Sequence, residues 1–219
     1  MPQNLIMFPS AKEYVADNSH DPLRFYYYPV IGKLYRRRVE MCLDLLPDGD
    51  IALEVGFGSG VSLPNLNNKY KELHGIDLKS DCNAVMSCFS ERGIQAHLIN
   101  GSVTKLPYEN EKFDAVLLVS ILEHLLPQDL HTAFQEIRRV LRPGGVMVYG
   151  VPVERPLMVT AFKLLGYDIR QHHFSTEKEV EEAARKYFLF REKKELHVLG
   201  MRFLAVYEAE LFRKDDGYE

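Results

Sequence analysis

Between residues 51 and 151 the chain alternates short apolar runs with segments of helical periodicity. The run at 113–119 is continuously hydrophobic, as is typical of a central strand in a parallel sheet. The segments between the runs repeat apolar residues every three or four positions, which predicts amphipathic helices. The pattern places strands at 51–55, 73–76, 96–99, 113–119 and 146–151, and helices at 80–92 and 128–141.

The flanks of this alternating region carry further elements. Residues 23–46 have helical spacing, although Pro29 and Gly32 are expected to interrupt the helix. Near the end of the chain, extended runs at 188–198 and 201–212 surround a short turn and predict a hairpin. Strands alternating with helices indicate βαβ units. The predicted fold class is therefore α/β: an α/β/α sandwich around a mostly parallel seven-stranded sheet with one antiparallel strand.

Composition and charge narrow the class of protein. The 219 residues are 46% hydrophobic and 26% charged, as expected for a single domain with a substantial core. The formal net charge of −4 argues against nucleic acid as a partner. No apolar run reaches the roughly 18–20 residues of a membrane span, and no signal-peptide pattern is present. Three cysteines without a CxxC pair disfavour a disulfide framework, so we expect a cytoplasmic protein.

A glycine-rich segment, Glu-Val-Gly-Phe-Gly-Ser-Gly at 54–60, follows the first predicted strand. Ligands of open α/β sheets bind at the carboxyl ends of strands, where glycines let the backbone turn tightly. The spacing is GxGxG, whereas dinucleotide-binding loops carry GxGxxG, and no GKS or GKT follows to form a phosphate loop. A carboxylate at Glu54 repels phosphate, so the loop favours a cationic ligand.

Asp77 stands at the end of the second predicted strand, 23 residues after Glu54. A carboxylate in this position can accept hydrogen bonds from the two hydroxyls of a ribose. The alternative is that Asp77 caps the following helix or turn, a common role of aspartate. The glycine loop upstream favours the ribose interpretation.

Four motifs in order carry a resemblance to a known family. They are the segment 53–60, His-Gly-Ile-Asp-Leu at 74–78, Phe-Asp-Ala-Val at 113–116 with Ile-Leu-Glu-His at 121–124, and Leu-Arg-Pro-Gly-Gly-Val at 141–146. The chain resembles the class I S-adenosylmethionine-dependent methyltransferases of the small-molecule type. The resemblance covers the alternating region by motif and the hairpin by architecture, and it implies a Rossmann-like fold.

The resemblance also implies S-adenosylmethionine as the cofactor. Glu54, Gly56 and Gly58 would line its methionine and sulfonium portion, Asp77 would hold the ribose, and Leu78 would pack against adenine. Backbone carbonyls after the fourth strand would receive the ammonium. The implied cofactor-binding residues are Glu54, Gly56, Phe57, Gly58, Gly60, Asp77, Leu78, Ser102, Val103, Val119 and Ser120.

Ser102 departs from the family pattern. Many relatives carry Gly-Asp after the third strand, where the acid bonds the adenine amino group, but here Gly101 precedes Ser102. A hydroxyl is a weaker acceptor than a carboxylate, so we expect adenine binding with reduced help from this position.

Candidate catalytic groups are His173, His124 and Glu123, with His172 as a further candidate base. A base is needed only where the acceptor must lose a proton, because positioning and exclusion of water supply much of the rate. Glu123 and His124 close the third motif, where a structural role is the alternative. His173 precedes a capping box predicted at Thr176, so capping and packing are equally open for its segment. No histidine spacing indicates a metal, and none is predicted.

The flanks of the cofactor-binding core (47–151) are expected to select the acceptor. Residues 1–46 are interpreted as a helical cap whose tyrosines either dock the N-terminal helix onto the sheet or form the lid over the cofactor that the resemblance implies. The three arginines at 36–38 form a solvated helix face or steer an acidic substrate. Residues 152–187 are interpreted as an acceptor-pocket insertion, and 188–213 as the hairpin.

The leading hypothesis is methyl transfer to an oxygen or nitrogen atom of a small-molecule acceptor, polar or lipid-like, by a monomer or homodimer. A non-catalytic S-adenosylmethionine-binding scaffold is the alternative from another class. A NAD-dependent oxidoreductase is the rival enzyme, disfavoured by the GxGxG spacing and by Glu54.

Overall fold

The computed structural model describes residues 4–15, 22–153, 173–197 and 205–215. The strands are β1 (Gly49–Val55), β2 (Tyr70–Asp77), β3 (His97–Asn100), β4 (Phe113–Val119), β5 (Leu141–Pro152), β6 (Leu189–His197) and β7 (Ala205–Arg213). The α-helices are α1 (Ile31–Leu45), α2 (Leu63–Asn67), α3 (Cys82–Ser90), α4 (Pro127–Val140) and α5 (Glu177–Ala184). Short 3-10 helices lie at Ala11–Glu13, Pro22–Tyr27 and Leu122–His124.

The seven strands form one sheet in the order β3-β2-β1-β4-β5-β7-β6. All neighbouring pairs from β3 to β5 are parallel, and β7 runs antiparallel to both β5 and β6. The predicted α/β class, with a mostly parallel seven-stranded sheet and one antiparallel strand, is confirmed. Strand order reverses between β1 and β4, so the carboxyl ends of these strands border the crevice where open α/β sheets bind ligands.

Hydrophobic cores lie on both faces of the sheet. Helices α1, α2 and α3 pack on the face that includes Ala52 and Leu117, whereas α4 and α5 pack on the face that includes Leu53 and Val116. Side chains alternate along a strand, so Glu54 shares the face of Ala52. The buried acid of the first motif therefore lies on the side covered by α1, α2 and α3.

The predicted elements agree with the observed ones, with local differences. The helix predicted at 23–46 is interrupted around Pro29, as expected, and α1 begins after it. The expected interruption at Gly32 is wrong, because Gly32 lies inside α1, where a Cβ would lie 2.3 Å from the Tyr26 carbonyl oxygen. β5 begins earlier than predicted because Leu141 pairs with Phe113 ahead of a register shift. Within the described parts of the chain, no helix is long and apolar enough to cross a membrane.

A charged cluster is buried where β5, β6, β7 and α5 meet. The Nζ atom of Lys193 lies 2.6 Å from Glu210 and 3.1 Å from both Glu208 and Glu181, measured to carboxylate oxygens. Tyr149 donates its hydroxyl to Glu210 over 2.8 Å. Burial raises the pKa of Glu208 to about 7 and also raises that of Glu210, while Lys193 opposes both shifts. The Lys193 ammonium thus contacts all three carboxylates, and Arg185 adds a second positive charge 2.6 Å from Glu181.

Candidate functional site

The glycine loop leaves β1 at the point where strand order reverses. Gly56, Gly58 and Gly60 have φ angles of 75°, 52° and 77°, in the left-handed region that favours glycine. A Cβ on Gly56 would lie 2.0 Å from Cδ1 of Ile121, so the loop packs directly on the chain that follows β4. The GxGxG spacing therefore corresponds to three left-handed residues in one tight turn.

The carboxylate of Asp77 connects this loop to the turn after β2. Its Oδ2 accepts from the Gly58 N–H at 3.1 Å, and its Oδ1 accepts from the N–H groups of Lys79 and Ser80 at 2.9 and 3.1 Å. The N-cap of α3 is Asp81, so Asp77 caps the turn and not the helix. These three bonds leave Oδ2 able to accept from a further donor.

Glu54 is buried at the start of the loop, with 4% of its surface exposed. One carboxylate oxygen accepts from the hydroxyl of Ser62, while the other, Oε2, is buried and has no hydrogen-bond partner in the part of the chain that the structure describes. Burial raises the pKa of Glu54 to about 8, and the charge of Asp77 adds to the rise. The ionised form of Glu54 therefore lacks a positive partner, which a cationic ligand would provide.

The other implied cofactor residues differ in exposure. Leu78 is 68% exposed directly after β2, so its apolar surface is open to a ring. Ser102 Oγ lies 2.8 Å from Thr104 Oγ1 and accepts from the Thr104 N–H. Val103 and Phe57 are buried in the cores, which leaves mainly the backbone of Phe57 for a ligand.

Val119 and Ser120 end β4 opposite the glycine loop. Ser120 has a φ of 57°, and its N–H donates to the Gly150 carbonyl over 2.8 Å. Its hydroxyl accepts from Nη2 of Arg38 at 2.5 Å and lies 3.1 Å from the hydroxyl of Tyr207. The strand end that the resemblance assigns to the cofactor's ammonium is thus held by α1 and β7.

The sequence interpretation missed Arg38, because it grouped this residue with Arg36 and Arg37 on a solvated helix face. In the structure Arg37 reaches Glu40 on the outside of α1, whereas Arg38 turns inward to Ser120. The long separation of Arg38 from its partners along the chain hides this contact from any local pattern.

The three predicted catalytic residues lie together. Each of Glu123, His124 and His173 places a nitrogen or oxygen atom within 4.8 Å of the other two, and the two imidazole rings are 5.3 Å apart. The N–H groups of Phe174 and Ser175 both donate to the Glu123 carbonyl, at 2.8 and 3.2 Å, and so hold His173 beside the end of β4. A catalytic role for these residues stays a prediction.

The capping interpretation of the same segment also has structural support. Thr176 is the N-cap of α5 and forms a capping box with Glu179, and Ser175 donates its hydroxyl to the Leu125 carbonyl over 2.7 Å. These bonds position the segment whatever its chemistry. His172, the further candidate base, lies outside the described residues.

Some side chains cluster closely enough to ligate a metal, although none is predicted to do so. Within the described residues, groups with ligand atoms no more than 4.8 Å apart are Glu123, His124 and His173; Glu72, His74 and His97; and Glu181, Glu208 and Glu210. The third group already holds the ammonium of Lys193. The expectation of no metal stays a prediction.

Comparison with known proteins identifies a methyltransferase domain at residues 53–149. The chain is 29% identical over 106 residues to a demethylmenaquinone methyltransferase of Bacillus licheniformis, across 47% of this chain and 45% of that protein. It is 34% identical over 105 residues to a fatty-acid O-methyltransferase of Mycolicibacterium smegmatis, across 47% of this chain and 37% of that protein. The matched stretch thus spans less than half the length of either relative.

A solved structure extends the similarity of fold to most of the chain. The N-methyltransferase NodS from Bradyrhizobium japonicum, in complex with S-adenosyl-L-homocysteine, has a TM-score of 0.66 at 18% identity and covers 91% of this chain and 94% of that one. The stretch that the family model matches, 53–149, contains the four motifs. Residues 53–149 thus form a methyltransferase domain, and the resemblance to the class I S-adenosylmethionine-dependent methyltransferases is confirmed.

Proposed function

We propose that this protein transfers the methyl group of S-adenosylmethionine to an oxygen or nitrogen atom of a small-molecule acceptor. The observation that carries the proposal is the carboxylate of Glu54, buried at the glycine loop with Oε2 unpartnered. An ionised carboxylate without a counter-charge is unfavourable in such a place, and a cation in the loop would remove that penalty. The sulfonium and ammonium of the cofactor meet this requirement.

Other residues at the site suit the rest of the cofactor. Oδ2 of Asp77 is able to accept from a ribose hydroxyl, and exposed Leu78 offers an apolar surface to adenine. When bound, the sulfonium supplies an electrophilic methyl group. The residues of the protein then have to align the acceptor with that group and exclude water.

Glu123, His124 and His173 are proposed to act on the acceptor, because their polar atoms converge beside the end of β4. An imidazole there would take a proton from a hydroxyl or amine that must lose one. The name of the fatty-acid O-methyltransferase relative supports oxygen as the methylated atom and a lipid-like acceptor. Exposed Phe174, next to His173, suits an apolar acceptor.

The remaining expectations form part of the proposal. We propose one domain in which residues 47–151 bind the cofactor and the flanks select the acceptor. The protein would act in the cytoplasm, as a monomer or homodimer and without nucleic acid. A scaffold without catalysis is the competing function, and incubation of a metabolite extract with methyl-labelled cofactor separates the two, because only an enzyme labels a product.

Calorimetry tests the cofactor assignment directly. S-adenosylmethionine and S-adenosylhomocysteine are expected to bind the protein, and NADH is not. Binding of NADH without binding of either adenosyl compound would overturn the proposal.

Replacing Asp77 with alanine is expected to weaken S-adenosylhomocysteine binding about 30-fold, since charge-assisted hydrogen bonds contribute about 2 kcal/mol. The matched control is Asp81→Ala, which removes the N-cap of α3 from the same turn without touching the glycine loop. Titration calorimetry of both variants checks the result. If both variants lose the same amount of affinity for S-adenosylhomocysteine, Asp77 only supports the local backbone.

A further inference from the structure

The guanidinium of Arg38 lies between two tyrosine rings. Its central carbon is 4.7 Å from the ring centroids of both Tyr35 and Tyr207, and its Nη2 donates to the Ser120 hydroxyl over 2.5 Å. Nε is buried and has no hydrogen-bond partner among the described residues. The ring faces attract the cation but accept no bond from Nε–H in the plane of the guanidinium, so this donor stays unsatisfied.

Arg38 also lacks a carboxylate partner at close range. Across the described ranges 4–15, 22–153, 173–197 and 205–215, no carboxylate oxygen forms an ion pair with it within 4.0 Å. The charge of Glu123 acts on Arg38 from beyond that distance. Arg37, one residue earlier, pairs with Glu40 and Asp44, both at 3.4 Å. An enclosed guanidinium without such a partner favours the binding of an anion.

The position of Arg38 places it beside the proposed cofactor site. Its partner Ser120 follows β4, and the next residue, Ile121, packs on Gly56 of the glycine loop. The resemblance assigns the cofactor's ammonium to the carbonyls near Val119 and Ser120. In an amino acid the carboxylate is attached to the same carbon as the ammonium, so a carboxylate bound here would lie close to Arg38.

We propose that Arg38 binds a carboxylate at this site, an inference that rests on the proposed function. The planar guanidinium matches a carboxylate through parallel hydrogen bonds, and exclusion of water strengthens them. The carboxylate has two possible sources, the methionine portion of the cofactor and an acceptor that carries an acid group. For the second source, Ile31, which is exposed, shares one face of α1 with Tyr35 and Arg38 at spacings of four and three, and an apolar tail would lie along this face.

Two pairs of probes separate the sources. S-adenosylhomocysteine is compared with S-adenosyl-3-thiopropylamine, the same compound without its carboxylate. Decanoate is compared with decanol on protein saturated with S-adenosylhomocysteine. In the wild type, the carboxylate member of the relevant pair is expected to bind about tenfold or more tightly than its partner.

The test variant is Arg38→Met, which keeps an apolar stem between the two tyrosines but removes the charge. In one of the two pairs, this variant is expected to lose the preference for the compound with a carboxylate. Its affinity for the compound without a carboxylate should stay nearly unchanged. If the preference is lost in the adenosyl pair, Arg38 binds the carboxylate of the cofactor. If it is lost in the decyl pair, Arg38 binds the carboxylate of the acceptor. Arg37→Met is the matched control, since it removes an arginine that pairs with Glu40 and Asp44 and not with Ser120, and it should keep every preference.

Calorimetry and thermal unfolding are measured together on all variants. If Arg38→Met does not fold, Arg38→Lys replaces it, and the lysine is expected to retain only part of the carboxylate preference. An Arg38 variant that folds and keeps both preferences overturns the inference, as does one that weakens both members of each pair equally. If S-adenosylhomocysteine fails to bind the wild type, the proposed function itself fails.

Discussion

Replacing Glu54 with glutamine is expected to stabilise the ligand-free protein by about 2–4 kcal/mol at pH 9, and by little at pH 5. Burial raises the pKa of Glu54 to about 8 from an ordinary value near 4.5. A raised folded-state pKa means that the stability contributed by the protonated acid is complete below about pH 4.5 and is lost as the pH rises through 8. Glutamine removes this loss because it does not ionise.

The same substitution is expected to change the pH dependence of cofactor binding. A cationic ligand favours ionised Glu54 and lowers its pKa, so wild-type affinity should rise as the pH approaches 8 and then level off. Glu54→Gln should bind more weakly above pH 8 and lose most of that rise. Urea unfolding and calorimetry at several pH values measure both effects.

The control variant is Glu109→Gln at an exposed position. It removes one carboxylate, as Glu54→Gln does, but leaves residue 54 unchanged. Glu208 also titrates in the wild type, but it is present in all three proteins, so the difference between them isolates Glu54. If the affinity of Glu54→Gln rises with pH as steeply as that of the wild type, Glu54 is not beside the cationic part of the ligand.

Replacing Lys193 with methionine is expected to destabilise the protein by about 3–5 kcal/mol at pH 8. The substitution leaves Glu208 and Glu210 buried without the ammonium that lies 3.1 and 2.6 Å from them. At pH 5 the loss of stability should be smaller, because burial raises the pKa of Glu208 to about 7, so this carboxyl is then protonated and needs no counter-charge.

Lys194→Met is the matched control, because Lys194 is the next residue on β6 and its ion pair within the described residues is the 3.7 Å contact with Asp44. For this variant the free energy of unfolding is expected to fall by less than about 1 kcal/mol. Denaturant midpoints at pH 5 and pH 8 measure both proteins. A loss in Lys193→Met that is the same at the two pH values would show that packing of the lysine stem, and not its charge, stabilises the cluster.

Residues close together in the sequence were the most predictable part of the site. The three glycines and Glu54 lie within seven positions, and their role in the loop follows from the conformation of a single turn. Asp77 was placed correctly at the end of β2, since a buried run followed by an acid is visible in one segment. Even here the burial of the Phe57 ring in the core, away from direct side-chain contact with a ligand, appears only in the structure.

Residues far apart in the sequence could be grouped only by the structure. Glu123, His124 and His173 were chosen singly, and their convergence depends on the backbone bonds that dock the segment before α5 onto the end of β4. Arg38 meets Ser120 and Tyr207 because α1 packs across the sheet at the carboxyl ends of its strands. No periodicity within α1 distinguishes an arginine that faces solvent from one that faces two aromatic rings.

The sequence by itself determined the α/β class, the order of the motifs along the chain and the cofactor loop, because each depends on hydrophobic period or on neighbouring residues. The electrostatics were decided by the tertiary structure alone. It determined which acids are buried, which cations lie close to them, and which cation has no carboxylate partner among the described residues. Burial and distance set those energies, and both arise from contacts between residues that are remote in the chain. Glu54, Lys193 and Arg38 therefore became informative only once the chain was folded.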